Sequence, residues 1–224
     1  MEAEMSGLEK NGTWEKCKIP VGKKPVGCKW VFTIKLKSDG TIERYKARLI
    51  AKGYTQTYGV DYSETFSLVA KIDTIRVFFS IVANKDWPLY QFDVKNAFLH
   101  GEIEEELYMQ APPGFSHEYN QGEGCRLRKA LYGLKQSPRA WFVRFTAAMR
   151  KFGYKQSNSD HTLFLKKKDG RITCLVIYVD AMVITGNDAK EIDELKRRLF
   201  REFEMKDLGN LNYFLGIKVL RSKT

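Results

Sequence analysis

The segment Thr173 to Asn187, TCLVIYVDAMVITGN, limits what this chain can fold into more than any other stretch. Leu175 to Val179 is a run of apolar or β-branched residues with Tyr178 among them, and Met182 to Thr185 resumes the pattern beyond Asp180. Two β-prone runs this close together predict a tight hairpin with Asp180 at its tip. Nothing in the apolar pattern requires an acid there, so Asp180 needs a chemical reason.

A second acid stands in a similar place. The stretch Gln91 to Gly101, QFDVKNAFLHG, begins as a strand, with Leu89, Gln91 and Asp93 on one side and Tyr90, Phe92 and Val94 on the other. Asp93 sits where the strand gives out. A lone strand-end Asp most often makes a turn, but a solvated carboxylate is also suited to hold a divalent cation through oxygen. Phe98, five residues on, is expected to wall a small pocket at the same spot. Two strand-end acids 87 positions apart suit a two-metal site, where paired ions clamp the attacking and leaving oxygens of phosphoryl transfer.

Lys29 to Lys52 predicts another hairpin: KWVFTIKLK, a turn at Ser38-Asp39-Gly40, then TIERYKARLIAK. Trp30, Phe32, Ile34 and Leu36 alternate with Val31, Thr33, Lys35 and Lys37; on the return strand Arg44, Lys46 and Arg48 alternate with Tyr45, Ala47 and Leu49. One face is apolar and the other a row of cations. An ordinary solvated sheet face accounts for such a row, while three cations in line on one strand favour phosphate binding. Composition bears on the choice: 38 Lys and Arg against 27 Asp and Glu give a formal charge of +11, a polyanion binder's balance. Glu15 to Tyr54 alone holds eleven basic and three acidic residues, whereas Gly101 to Cys125 holds six Glu and no Lys or Arg. Four separated cysteines without a CxxC pair, and only three His, argue against structural zinc and for free thiols in a reducing compartment. No run approaches the roughly 18 apolar residues of a membrane helix, and MEAEMSGLEKNG lacks the apolar region of a signal peptide.

Residues 1–14 read as a polar lead-in or short helix. Asp73 is placed as N-cap of a core helix through about Ala83, apolar on most sides. Glu102 to Glu106 reads as a solvated turn and Leu107 to Phe115 as an extended edge piece. The loop Tyr132-Gly133-Leu134-Lys135-Gln136 leads into a helix with Ser137 as N-cap and Pro138 as first helical residue, closed by Gly153. Leu163 to Tyr178 is a hairpin turning at Asp169-Gly170. Asp188 and Glu191 form a capping box for a helix to about Met205, and Leu208 to Leu220 closes the chain as a strand pair. This order makes an α+β fold with a largely antiparallel sheet covered by helices on one face.

Several long words, in order, carry a resemblance: KPVGCKWVFTIK, RYKARLIAKGYTQ, GVDYSETFS, QFDVKNAFLHGE, LRKALYGLKQSPRAW, SDHTLF, IYVDA and LGNLNYFLGIKV. On these the chain resembles the reverse transcriptase domain of copia-type LTR retrotransposons over nearly all of its length. The resemblance implies the fingers and palm of a right-handed polymerase, with fingers mainly in 15–88 and part of 107–140 and palm in the remainder. Thumb, RNase H and integrase are expected to be absent, the chain ending where a thumb would begin. It implies addition of dNTPs to a primer 3′-OH on an RNA or DNA template, with Asp93, Asp180 and the backbone of Val94 holding two Mg²⁺ ions, or Mn²⁺ in their place. Arg48 is the first choice for the triphosphate contact with Lys46 behind it; Phe98 would lie under the sugar, Tyr132 and Gly133 under the incoming nucleotide, and Phe214, Leu215 and Gly216 would form the primer grip. Lys135 would point to phosphate or solvent. Partners would include the remaining Pol segments and no membrane, in cytoplasmic virus-like particles.

Two departures stand out. The family pattern at the hairpin tip is Tyr-Val-Asp-Asp, whereas this chain has Tyr178-Val179-Asp180-Ala181; and Leu68 stands where the family usually has proline. Loss of the second tip carboxylate implies impaired chemistry in this copy. It keeps two rivals open: a non-catalytic nucleic-acid-binding module, supported by Ala181 and the basic hairpin, and a decayed fragment, against which the intact Asp93 and Phe98 speak.

Overall fold

The computed structural model describes residues 1–37, 39–65 and 69–220; Ser38 of the expected turn and Leu68 lie outside the described residues. In chain order the elements are α1 (Glu2–Lys10), β1 (Trp14–Lys18), β2 (Cys28–Leu36), β3 (Ile42–Ala51), α2 (Ile72–Lys85), β4 (Leu89–Val94), β5 (Tyr108–Met109), β6 (Glu123–Leu127), α3 (Ser137–Lys151), β7 (Lys155–Gln156), β8 (Leu163–Lys168), β9 (Arg171–Tyr178), β10 (Ala181–Gly186), α4 (Ala189–Glu202), β11 (Met205–Asn210), β12 (Tyr213–Phe214) and β13 (Ile217–Lys218). They fall into two units: Met1–Ser67 with Phe98–Arg144, and Leu68–Ala97 with Phe145–Thr224. Residues 69–88 therefore belong with the second unit and not with the basic hairpin.

In the second unit β11-β4-β10-β9-β8-β7 form a six-stranded sheet, antiparallel throughout. The central strands β9 and β10 are buried at nearly every position. Because successive side chains alternate across a sheet, such strands need cover on both faces, and the expectation of helices on one face is corrected here. On one face Ile75, Phe78 and Val82 of α2 pack with Leu89, Cys174, Val176 and Val183. On the other, Phe145 of α3 meets Phe164 and Phe203 at 5.6 and 5.9 Å, and Phe200 of α4 meets Phe92 at 6.1 Å.

Three local expectations for this unit also change. Lys71, not Asp73, is the N-cap of α2, and Asp73 pairs with Arg76 in the first turn; the Lys71 N–H donates to the remote Asp160 carboxylate at 2.9 Å. The helix is not core on most sides: Val77 and Ile81 are 59% and 48% exposed and line an open groove of about 470 Å³ with Trp87, Leu163 and Leu165. At α4, Asp188 accepts the Glu191 N–H at 3.1 Å as expected. The Glu191 carboxylate does not return to the cap, however; it accepts from Tyr154 Oη and Lys166 Nζ. The helix stops at Glu202, because Lys95 N–H takes the Glu204 carbonyl and Met205 enters β11 beside β4. The closing strand pair is thus β12–β13, turning at Leu215 and Gly216, both at positive φ as in a type I′ turn.

In the first unit β2 and β3 form the expected hairpin, with Val31 opposite Arg48, Thr33 opposite Lys46 and Lys35 opposite Arg44. A separate sheet runs β1-β6-β5, and β5 is its edge as the Pro-rich stretch predicts. Residues 1–14 are part of this unit: Leu8 of α1 is 1% exposed and shares a core with Leu49, Leu99, Leu131 and Leu134. Asn11 donates to the Leu99 carbonyl, and Thr13 accepts from Arg128 and Lys129. Among the described residues no helix is long and apolar enough to cross a membrane, and all four cysteines are free.

Candidate active site

The two acids come together in the second unit. Strand β10 pairs with β4 so that Ala181 lies directly opposite Asp93, and the Val94 N–H donates to the Asp180 carbonyl at 2.9 Å. Residues separated by 87 positions thus become backbone neighbours at one end of the sheet. Both carboxylate-bearing residues are half-buried, and Ala181 packs against the same apolar cluster as Tyr178 and Val183. Val94 itself is 1% exposed, with its N–H already committed.

The tip that presents Asp180 is strained. Tyr178 pairs with Ala181, leaving Val179 and Asp180 as a two-residue turn, and Val179 has φ +58°. A β-branched side chain in the left-handed region costs about 1–2 kcal/mol. At the other hairpin turn, Asp169-Gly170, positive φ is taken by residues that tolerate it. Strain at a tip flanked by buried strands is the kind that cooperative surroundings impose. Among the described residues no group of three or more His, Cys, Asp or Glu is arranged to hold a metal ion.

The first unit gathers a different set. Phe98 and Tyr132 pack with ring centroids 4.9 Å apart, and the Arg48 guanidinium lies 5.8 Å from the Tyr132 ring, within cation–π range. The Arg48 Nε is enclosed without a hydrogen-bond partner among the described residues. Lys46, two residues away on the same face of β3, is half-buried, and burial first, then the Arg48 charge, pulls its ammonium pKa below the usual value.

Backbone packing holds Tyr132 there. Its carbonyl accepts the Ala51 N–H at 2.8 Å. Gly133 has φ +92°, and a Cβ at this position would strike the Ala51 carbonyl oxygen and Ile50; Gly53 in turn faces the Gly133 carbonyl so closely that a Cβ would collide with it. Two glycines in contact let the loop lie flat on the end of β3.

Lys135 was expected at phosphate or solvent and is found turned inward. Its Nζ donates to the Gln56 carbonyl and Tyr62 Oη, both at 3.2 Å, and its N–H to Gln56 Oε1. Gln56 and Gln136, both buried, hydrogen-bond to each other at 3.0 Å, and Gln136 also donates to the Asp61 carbonyl. No local signal in the sequence marks this network, since Gln in a polar loop reads as solvated. Ser137 is likewise not a cap: its hydroxyl donates to the Leu131 carbonyl at 2.6 Å. Phe214 of the expected primer grip is 3% exposed and meets Phe79 at 6.3 Å, so it is core; Gly216 at the turn is open.

Comparison with known proteins adds to this picture. The family described as reverse transcriptase (RNA-dependent DNA polymerase) matches residues 11–224. The whole chain is 44% identical to part of a Retrovirus-related Pol polyprotein from transposon TNT 1-94 of Nicotiana tabacum, covering 17% of that protein. It is 43% identical to the Pol polyprotein from transposon RE1 of Arabidopsis thaliana, covering 15% of it. Over 58% of its length it is 32% identical to a putative transposon Ty5-1 protein of Saccharomyces cerevisiae, of which it covers 42%. The chain therefore spans about one sixth of the plant polyproteins it matches.

Proposed function

This chain belongs to the reverse transcriptase (RNA-dependent DNA polymerase) family, and from that premise we propose that it carries the nucleotide-adding part of a retrotransposon Pol polyprotein. In this reading it extends a primer 3′-OH with dNTPs along an RNA or DNA template, inside a cytoplasmic particle and together with other Pol segments. The second unit serves as palm and the first as fingers. The observation that carries the proposal is the pairing of Asp93 with Ala181, with Asp180 adjoining at a strained tip.

Asp93, Asp180 and the Val94 backbone would hold Mg²⁺, or Mn²⁺ in its place; two half-exposed carboxylates suit an ion that keeps several waters and takes further oxygens from substrate phosphates. Bound there, such ions would lower the pKa of the 3′-OH and neutralise charge on the triphosphate. The chain's own groups do the rest of the work. Arg48 and Lys46 attract the triphosphate. Phe98 fills the space beside the sugar, where a ring leaves little room for a 2′-OH. Tyr132, its ring tilted against Phe98, supports the nucleotide, and Gly133 keeps the backbone flat beneath it. Leu215 and Gly216 offer the turn to the primer strand, while the buried Phe214 supports them from below.

The Ala181 side chain has no oxygen with which to ligate or orient an ion, so we propose that this copy is impaired. The test is Mg²⁺-dependent primer extension by the wild-type chain, Ala181→Asp, and Ala181→Asp/Asp93→Ala, each also supplied with a downstream Pol segment. Restoration by the first substitution, and its abolition by the second, is expected. If Ala181→Asp binds primer–template but adds no nucleotide, Ala181 is not the lesion. The same result would favour the second reading, a non-catalytic nucleic-acid-binding module, which the cation row of β3 supports independently.

A further inference from the structure

The hairpin β2–β3 forms a two-stranded sheet of its own, and its two faces differ in chemistry. Trp30 pairs with Leu49, Phe32 with Ala47, Ile34 with Tyr45 and Leu36 with Ile42. Directly opposed residues share a face, so these side chains line one side with no charge among them. Lys35, Arg44, Lys46 and Arg48 stand on the other. The apolar face starts as core: Leu49 is fully buried, and Trp30 meets Phe115 at 6.1 Å and donates from Nε1 to the Pro113 carbonyl at 2.8 Å. It then runs out into water. Phe32, Ile34, Leu36, Ile42 and Tyr45 are 67%, 53%, 59%, 50% and 76% exposed. At about 150 Å² for each aromatic and roughly 100 Å² for each aliphatic residue, the open part comes to ~600 Å². That is at the top of what a monomer ordinarily exposes in one patch. A two-stranded hairpin is also marginal in water until its apolar face is covered.

We propose that this face is a self-association surface, covered in solution by the same face of a second copy of the chain in a two-fold symmetric dimer. The cations that could meet phosphate point to the opposite side of the hairpin, so the face suits an apolar occupant and not a nucleic acid. A second copy brings matching chemistry in an isologous contact, rings and branched side chains packing between two sheets about 10 Å apart. Covering ~600 Å² on each copy buries ~1,200 Å² in all, which reaches the lower end of specific interfaces. In this arrangement the two cation rows face outward, away from each other. The charge of +11 on each chain then opposes association only at long range, where salt screens it. The Arg48–Lys46 side stays uncovered, so the dimer stands or falls independently of the function proposed for those cations.

The experiment is sedimentation velocity on the full chain, freed of nucleic acid, over a concentration series at low and high sodium chloride. For an interface of this size a monomer–dimer equilibrium with Kd on the order of 10 µM is expected, tightening about 3- to 10-fold as salt rises. Phe32→Thr/Tyr45→Thr keeps strand-forming residues at two exposed positions. It is expected to weaken association at least ~10-fold with an unchanged urea midpoint. Lys35→Ala, on the opposite face, is expected to associate as wild type does. Hydrogen exchange needs no variant: the β2 and β3 amides of wild type should exchange more slowly at about 100 µM than at about 1 µM. A chain that stays monomeric throughout, a dimer indifferent to Phe32→Thr/Tyr45→Thr, or one that dissociates as salt rises overturns the proposal. So does a monomer whose β2 and β3 amides become protected only when a single-stranded oligonucleotide or a downstream Pol segment is added, a result that gives the face to that occupant.

Discussion

Gly133 shows how much a single residue can decide. A methyl group there meets the Ala51 carbonyl oxygen, which is rigid backbone at the end of β3, and the φ of +92° is itself unfavourable for a side chain. The Ile50 side chain can shift, but the carbonyl oxygen cannot. Gly133→Ala is therefore expected to lower unfolding stability by about 2–4 kcal/mol, read from the urea midpoint at unchanged slope. Because Tyr132 stands on the same loop, the substitution should also disturb the contacts of Tyr132 with Arg48 and Phe98. Ala181 behaves differently. It packs against an apolar cluster and does not project freely, so a carboxylate there in the absence of metal is expected to cost about 1 kcal/mol. Mg²⁺ should restore the loss and raise the thermal midpoint of Ala181→Asp by more than it raises that of wild type.

Among the elements, α2 depends on a residue far from it in sequence. Its N-cap, Lys71, contributes no side-chain cap, and the Lys71 N–H is satisfied by Asp160, which also accepts from the Thr162 N–H and hydroxyl at 2.9 and 2.6 Å. Burial pushes the Asp160 carboxyl upward, but the hydrogen bonds from Thr162, Lys71 and Thr74 outweigh it and hold the carboxyl below its ordinary value. A depressed folded pKa contributes stability that is present above the ordinary carboxyl range and is lost as pH falls through the folded value. Asp160→Asn keeps one acceptor and removes the charge. It is expected to destabilise the second unit by about 1–3 kcal/mol near neutrality, with the difference from wild type closing in acid. Equal stability of the two proteins across pH 3 to 7, followed by circular dichroism, would falsify the assignment of Asp160 as the anchor.

For the molecule as a whole, the charge of +11 predicts that any association with primer–template weakens steeply with salt and takes little notice of sequence. The hairpin β2–β3 carries Lys35, Arg44, Lys46 and Arg48 on one face. Replacing Arg44, Lys46 and Arg48 together by Ala should weaken binding and reduce the slope of log K against log salt by up to about 2–3, if each cation neutralises one phosphate. An unchanged slope would remove this face from the interface and shift attention to the remaining basic surface.

The sequence by itself determined what depends on neighbours within a few positions. The β9–β10 hairpin with Asp180 at its tip, the Asp169-Gly170 turn, the β2–β3 pairing and the Asp188 cap were all legible there, because strand pairing across short turns, positive-φ turns and capping are local physics. Burial of the apolar face expected of β2–β3 was not, since Phe32, Ile34, Leu36 and Tyr45 are exposed. The family, and with it the missing carboxylate at Ala181, was legible from long ordered words. Only tertiary structure decided which segments meet. It set Ala181 opposite Asp93, put α2 on the second face of the sheet with the Lys71 N–H satisfied by Asp160, turned Lys135 inward to Gln56, and set Gly53 against the Gly133 carbonyl. Each of these is a pairing between residues tens of positions apart, and each is fixed by strand register, backbone contact at glycine or the need to satisfy a buried polar group. Local periodicity says that a face must be covered or a donor paired; it does not say by which distant residue.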